Sequence, residues 1–162
     1  MAFSWLSADF CPLTLHDQVT YGHMDITAPY RIILSEESLT KRCYWEVEVS
    51  GARVEIGVLP REDDKMGKKG FFPCLVIYQN KLHGFLQNNE IVADCPDLDC
   101  PQRIGLYLNK NAECLSFYSV CEDKLTLLGK FYSTGFFKVT NAGKLFAACR
   151  IFNMSEANLI GS

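Results

Sequence analysis

Apolar and polar residues alternate with period two along most of the chain. In "YWEVEV" (44–49), Trp45, Val47 and Val49 share one face of an extended segment, and Tyr44, Glu46 and Glu48 share the other. "RVEIGV" (53–58) repeats the scheme, with Val54, Ile56 and Val58 inward and Glu55 outward. Ser50-Gly51 between the runs is a turn signal, so the two are expected to pair as a hairpin. Glu46, Glu48 and Glu55 are then expected to face water, as on the wet side of an antiparallel sheet.

The same reading extends down the chain. "CLVIYQ" (74–79) is nearly all apolar and is expected to be buried on both faces. "KLHGFLQ" (81–87) and "EIVAD" (90–94) flank Asn88-Asn89, a pair suited to a tight turn because Asn tolerates positive φ. "RIGLYLN" (103–109) sets Ile104, Leu106 and Leu108 on one face, and "ECLSFYSV" (113–120) does so with Leu115 and Phe117. "KLTLLGKF" (124–131) and "KLFAACRIF" (144–152) are further candidates, giving roughly nine to twelve strands at sandwich spacing. Helical signals are confined to "SEESLTK" (35–41), a single turn capped by Ser35, and "SEANL" (155–159). The expected fold is all-β, a two-layer antiparallel β-sandwich with at most one or two short helices.

Composition narrows the function classes. With 162 residues, 48% of them hydrophobic and 22% charged, the chain suits one globular domain. A net charge of −3 without a basic stripe gives no footprint for nucleic acid or for a membrane surface. No apolar run nears the ~20 residues of a spanning helix. The N-terminus lacks a basic leader region and Asp9 interrupts its apolar stretch, so a cytoplasmic location is expected. The eight cysteines are accordingly expected to be mostly reduced thiols without a disulfide framework.

Catalytic motifs are missing: the chain holds no nucleophile elbow, no Gly-rich phosphate loop and no His-Glu metal motif. "CPDLDCP" (95–101) has a C-x4-C spacing with no second close pair, and His16, His23 and His83 are scattered, so no metal site is expected. No catalytic residue and no cofactor follow from this pattern.

The order of the motifs resembles the SPRY (PRY-SPRY) family. "RIILSEESLTKRCYWEVEVSG" (31–51) followed by "VEIGVLPRE" (54–62) is similar to its first signature, and "PQRIGLYLNKNAECLSFYSV" (101–120) to its second. "GKLFAACRIF" (143–152) sits where the last core strand of the family is expected, so the resemblance covers about 13–152. It implies a curved, concanavalin-like sandwich that is not an enzyme and that reads a protein or peptide partner with loops at one edge. Such modules form the target-reading end of larger multidomain chains, tripartite-motif ubiquitin ligases and scaffolds among them. A variant that senses a small anionic ligand is the alternative. The expected boundaries are a lead-in over 1–12, the sandwich over 13–155 and a tail over 156–162.

Two segments are candidate contact surfaces. "PREDDKMGKKGFF" (60–72) offers Arg61, Asp63, Lys65 and Lys68 beside the aromatic pair Phe71 and Phe72. "KFYSTGFFKVTN" (130–141) offers Tyr132, Phe136 and Phe137 around Gly135. Charged loops on a rigid frame with an aromatic anchor are the usual makings of a protein-binding surface.

Overall fold

The computed structural model describes residues 9–22, 30–51, 53–60, 74–79, 81–87, 90–93, 103–122, 124–132, 145–152 and 156–159. Among them the regular structure consists of twelve strands: β1 (Leu15–Gly22), β2 (Tyr30–Ser35), β3 (Arg42–Ser50), β4 (Arg53–Pro60), β5 (Cys74–Tyr78), β6 (Lys81–Gln87), β7 (Glu90–Ala93), β8 (Arg103–Asn109), β9 (Cys114–Cys121), β10 (Lys124–Tyr132), β11 (Leu145–Phe152) and β12 (Glu156–Leu159). They form a seven-stranded sheet, β1-β2-β11-β4-β5-β6-β7, and a five-stranded sheet, β10-β9-β8-β3-β12. Every strand pair is antiparallel.

The alternation marks the inner faces correctly. Trp45, Val47 and Val49 of β3, Ile104, Leu106 and Leu108 of β8, and Leu115 and Phe117 of β9 are all buried in one core with Val54, Ile56 and Val58 of β4. Phe85 from the larger sheet meets Phe117 and Phe131 of the smaller one, with ring centroids 5.2 and 4.6 Å away. Gly129 makes room for this cluster, because a Cβ there would sit 2.6 Å from the Phe85 ring.

The hairpin expected at Ser50-Gly51 does not form. β3 pairs with β8 and β12, whereas β4 pairs with β11 and β5 in the opposite sheet. Gly51, at φ 114°, marks where the chain passes from one layer to the other. A turn dipeptide between two alternating runs is the same signal whether the second run pairs with the first or packs over it.

Two of the three outward carboxylates are not wet. Glu48 is exposed as expected, but Glu46 is only 6% exposed and Glu55 is fully buried. Glu55 stands opposite Arg150 in the β4–β11 register. It accepts hydrogen bonds from Arg150 Nη1 at 3.2 Å and from Arg53 Nε and Nη2 at 3.0 and 2.7 Å. Glu46 accepts a hydrogen bond from the Tyr44 hydroxyl at 2.6 Å, with Arg103 at 3.9 Å. The Tyr44 ring reaches across Gly105, the β8 residue opposite Glu46, and a Cβ at Gly105 would collide with it. The outer faces are thus covered at Glu46 and Glu55 though not at Glu48, and a covered carboxylate must be paired.

Both helical expectations are also corrected. Ser35 ends β2, and its hydroxyl accepts from the Ala147 amide at 3.0 Å and donates to the Glu37 carbonyl at 2.8 Å. That oxygen is therefore committed to sheet and bend, not to a helix N-terminus. Residues 156–159 form β12 on the edge of β3, with Ala157 opposite Val49.

The thiol expectation holds for Cys74, Cys114, Cys121 and Cys149, which are free, but Cys11 and Cys43 form a disulfide. Their sequence separation of 32 conceals that the lead-in runs beside β3. Cys95 and Cys100 lie outside the described residues.

Replacing Glu55 with Ala leaves the buried Arg150 without this partner and is expected to cost about 3–5 kcal/mol of stability. The same change at exposed Glu48 is expected to stay within about 0.5 kcal/mol. Urea unfolding of the two variants checks both, and equal effects would return Glu55 to the wet face.

Candidate functional site

Strand register brings one set of strand ends together. Leu145, the first residue of β11, stands opposite Pro60, the last of β4. The Leu39 amide donates to the Leu145 carbonyl at 2.7 Å, tying the β2–β3 connection to the same place. In the smaller sheet, Arg42, Asn109, Cys114 and Tyr132 lie in one row across β3, β8, β9 and β10. Lys110, in the β8–β9 turn, joins the layers here. Its amide donates to the Lys41 carbonyl at 2.9 Å, and its ammonium donates to the Leu39 carbonyl at 2.9 Å. Burial holds the Lys110 ammonium below the ordinary lysine pKa.

Segments 61–73 and 133–144 lie outside the described residues. The first follows Pro60, and the second is bounded by Tyr132 and Leu145, so the flanking residues of both converge on this end. Tyr132 is 67% exposed, the most open large hydrophobic residue among those described. The Lys130 ammonium lies 5.7 Å from its ring centroid, and a hydrogen bond with Tyr132 holds Lys130 above the ordinary lysine pKa. An exposed aromatic ring with a cation at its face, on a strand end, is an amphipathic contact patch.

No family model matches the chain. It is 31% identical over 109 residues to tripartite motif-containing protein 16 of Mus musculus, a match covering 63% of this chain and 19% of that protein. Among solved structures, the TRIM65 PSpry domain superposes with a TM-score of 0.68 at 17% identity, over 98% of this chain and 95% of that one. The SPRY domain of human HERC1 gives 0.55 at 13%, over 80% and 81%. Stonustoxin gives 0.69 at 18%, over 94% of this chain and 29% of that chain.

The fold is that of a SPRY domain.

On this SPRY sandwich only one sequence-derived contact residue, Tyr132, falls within the described residues, and it is exposed as a contact residue needs to be. Arg61, Asp63, Lys65, Lys68, Phe71, Phe72, Phe136 and Phe137 lie outside them. The structure adds two residues that sequence reasoning passed over, Lys130 and Lys110. The two-residue spacing from Lys130 to Tyr132, which puts both on one face of a strand, was the available signal for the first. Nothing local marks the second, because its partner Leu39 is 71 positions away.

Two of the buried thiols, Cys74 and Cys149, are held protonated at neutral pH. Burial pushes Cys149 up to about 12, and burial reinforced by the Glu55 charge pushes Cys74 further. Neither supplies a thiolate nucleophile. His83 is exposed, with its ring 6.3 Å from that of Tyr78. Tyr107 is raised to about 12 by desolvation and by its hydrogen bond to Asp9, 2.7 Å long.

These raised values fix a pH window. Tyr107 and Cys149 contribute fully while both stay protonated in folded and unfolded chain, below about pH 8.5. Their contribution is lost as pH climbs to about 12. Melting temperature is therefore expected to hold near neutrality and to fall progressively above about pH 9. Tyr107→Phe is expected to flatten part of the fall, and a pH-independent melting curve through this range would contradict the assignment.

Proposed function

We propose that this chain is a non-catalytic interaction module that recognises a protein or peptide at the end of the sandwich where Pro60, Leu145, Tyr132 and Lys110 meet. The observation that carries this reading is the convergence, at one end, of the strand ends flanking both aromatic-rich segments, beside an exposed Tyr132–Lys130 pair. Its layers are tied there by backbone hydrogen bonds, so a partner meets a frame that is already ordered. Preorganisation of that kind lowers the entropy lost on binding.

The relatives support a finer version of the reading. A SPRY-type fold, with a partial match to a tripartite-motif protein, fits the target-reading end of a larger multidomain chain such as a ubiquitin ligase or a scaffold. We place it in the cytoplasm. The partner chemistry that suits Tyr132 and Lys130 is an apolar or aromatic side chain next to an acidic group, the first stacking on the ring and the second facing the ammonium.

Proximity labelling in cells, comparing the intact chain with Tyr132→Ala and with Phe71→Ala/Phe72→Ala, tests the proposal. Each variant is expected to lose at least about tenfold of partner recovery, or about 1.4 kcal/mol of binding. The melting temperature of Tyr132→Ala should move by no more than about 2 °C, since the ring is mostly in water. Unchanged recovery in both variants would move the contact surface elsewhere.

A further inference from the structure

We propose that the Cys11–Cys43 disulfide is a redox latch whose reduction frees the lead-in strap, residues 9–13, from the edge of β3. The edge needs a cover because β12 pairs only with Val47, Glu48, Val49 and Ser50. The other half of β3 is covered by the strap. Phe10 bridges to Tyr44, the Tyr44 amide donates to the Asp9 carbonyl at 2.8 Å, and the Cys11 amide donates to the Tyr44 carbonyl at 2.9 Å. The Tyr107 hydroxyl donates to the Asp9 carboxylate at 2.7 Å, a third hydrogen bond to the strap beside the two that make the bridge. The covalent bond to Cys43 is what distinguishes this strap from an ordinary frayed terminal segment.

The two sulfurs are unequally placed. Cys43 is fully buried in the core, whereas Cys11 is half-buried on the strap. An incoming thiolate therefore meets Cys11 first. Attack by a glutathione thiolate forms a mixed disulfide on Cys11 and expels Cys43 as a thiolate, which takes up a proton. A second glutathione thiolate attacks the glutathione sulfur of that mixed disulfide, releasing Cys11 as a thiolate that is protonated in turn. Two electrons enter the protein, two protons arrive from the two glutathione thiols, and one glutathione disulfide leaves. Glutathione disulfide reverses the sequence. The remaining contacts on the β3 edge are few and lie at the sheet margin, where local opening needs far less free energy than global unfolding.

The latch reaches the opposite neighbour of the strap as well. Cys11 Sγ is 3.5 Å from the Thr40 hydroxyl, which donates to the Arg42 carbonyl at 2.8 Å. Thr40 follows Leu39, the residue that Lys110 and Leu145 hold at the end of the sandwich. The latch stands on its own geometry and does not require that this end bind a protein.

Hydrogen exchange read by mass spectrometry on the whole chain, in oxidised glutathione and after reduction, tests it, with differential alkylation reporting the state of Cys11 and Cys43. Reduction is expected to speed exchange at the Cys11 and Tyr44 amides at least tenfold while the Leu106 and Phe117 amides keep their protection. Cys11→Ser is expected to show the fast pattern under both conditions, which separates the latch from any direct effect of the reductant. Three results overturn the proposal: no Cys11–Cys43 pair in oxidised glutathione, unchanged Tyr44 exchange on reduction, or loss of protection at Leu106 and Phe117 together with Tyr44. The last would make the bond a staple of the whole fold.

Discussion

Neither sheet of this protein can stand in water alone, because each carries an apolar face that only the other covers. The contact between Phe85 of the larger sheet and Phe117 and Phe131 of the smaller is one place where that mutual cover is made. Packing at such a seam is jigsaw-like, so space must be provided as well as filled. Gly129 provides it on β10. The chain order follows from the same requirement: a segment leaving β3 at Ser50 can bury the alternate residues of β4 only by crossing to the opposing layer, and Gly51 allows the change of direction.

Covering the outer faces adds a second constraint. Once the surroundings of β4 and β11 exclude water, the Glu55 carboxyl needs donors against it, and the guanidinium groups of Arg53 and Arg150 supply them. On the other sheet Glu46 is served by a tyrosine hydroxyl, and that solution depends on a glycine at position 105, where any side chain would displace the Tyr44 ring. Buried pairs of this type contribute little net stability but are expensive to break on one side. Their effect is to fix register: a one-residue slip of β11 against β4 would take Arg150 to the far face and leave Glu55 with Arg53 of its own strand.

These constraints explain what could be read from the sequence. Period-two alternation reports the face a strand turns to its own core, so Trp45, Val47, Val49, Leu106 and Phe117 were legible from neighbours two positions away. What lies over the other face is decided by segments distant in sequence, and no local pattern separates a wet Glu48 from a covered Glu46 or Glu55. The same limit applies to residues 156–159, whose helix-forming composition is overridden by an open edge on β3. Of the candidate contact residues, Tyr132 was legible only as part of an aromatic-rich segment around Gly135. The approach of its row to Lys110 and Leu39 was not, because it rests on hydrogen bonds spanning dozens of residues.

The middle of each sheet and its strand ends differ in how their polar groups are satisfied. Backbone groups within the sheets are committed to the ladder, and the buried carboxylates Glu46 and Glu55 to tyrosine and arginine. At strand ends the ladder runs out, so backbone and side-chain groups there are satisfied by connections that differ in length and composition. At the end bounded by Pro60, Leu145 and Tyr132, the hydrogen bonds that join the two layers among the described residues are those of Leu39, Lys110 and Lys41. The disulfide strap sits against that same connection through Thr40. On the latch proposal, thiol–disulfide chemistry therefore enters the smaller sheet at Cys43 of β3 by way of the strap, beside the connection that ties the two layers at this end.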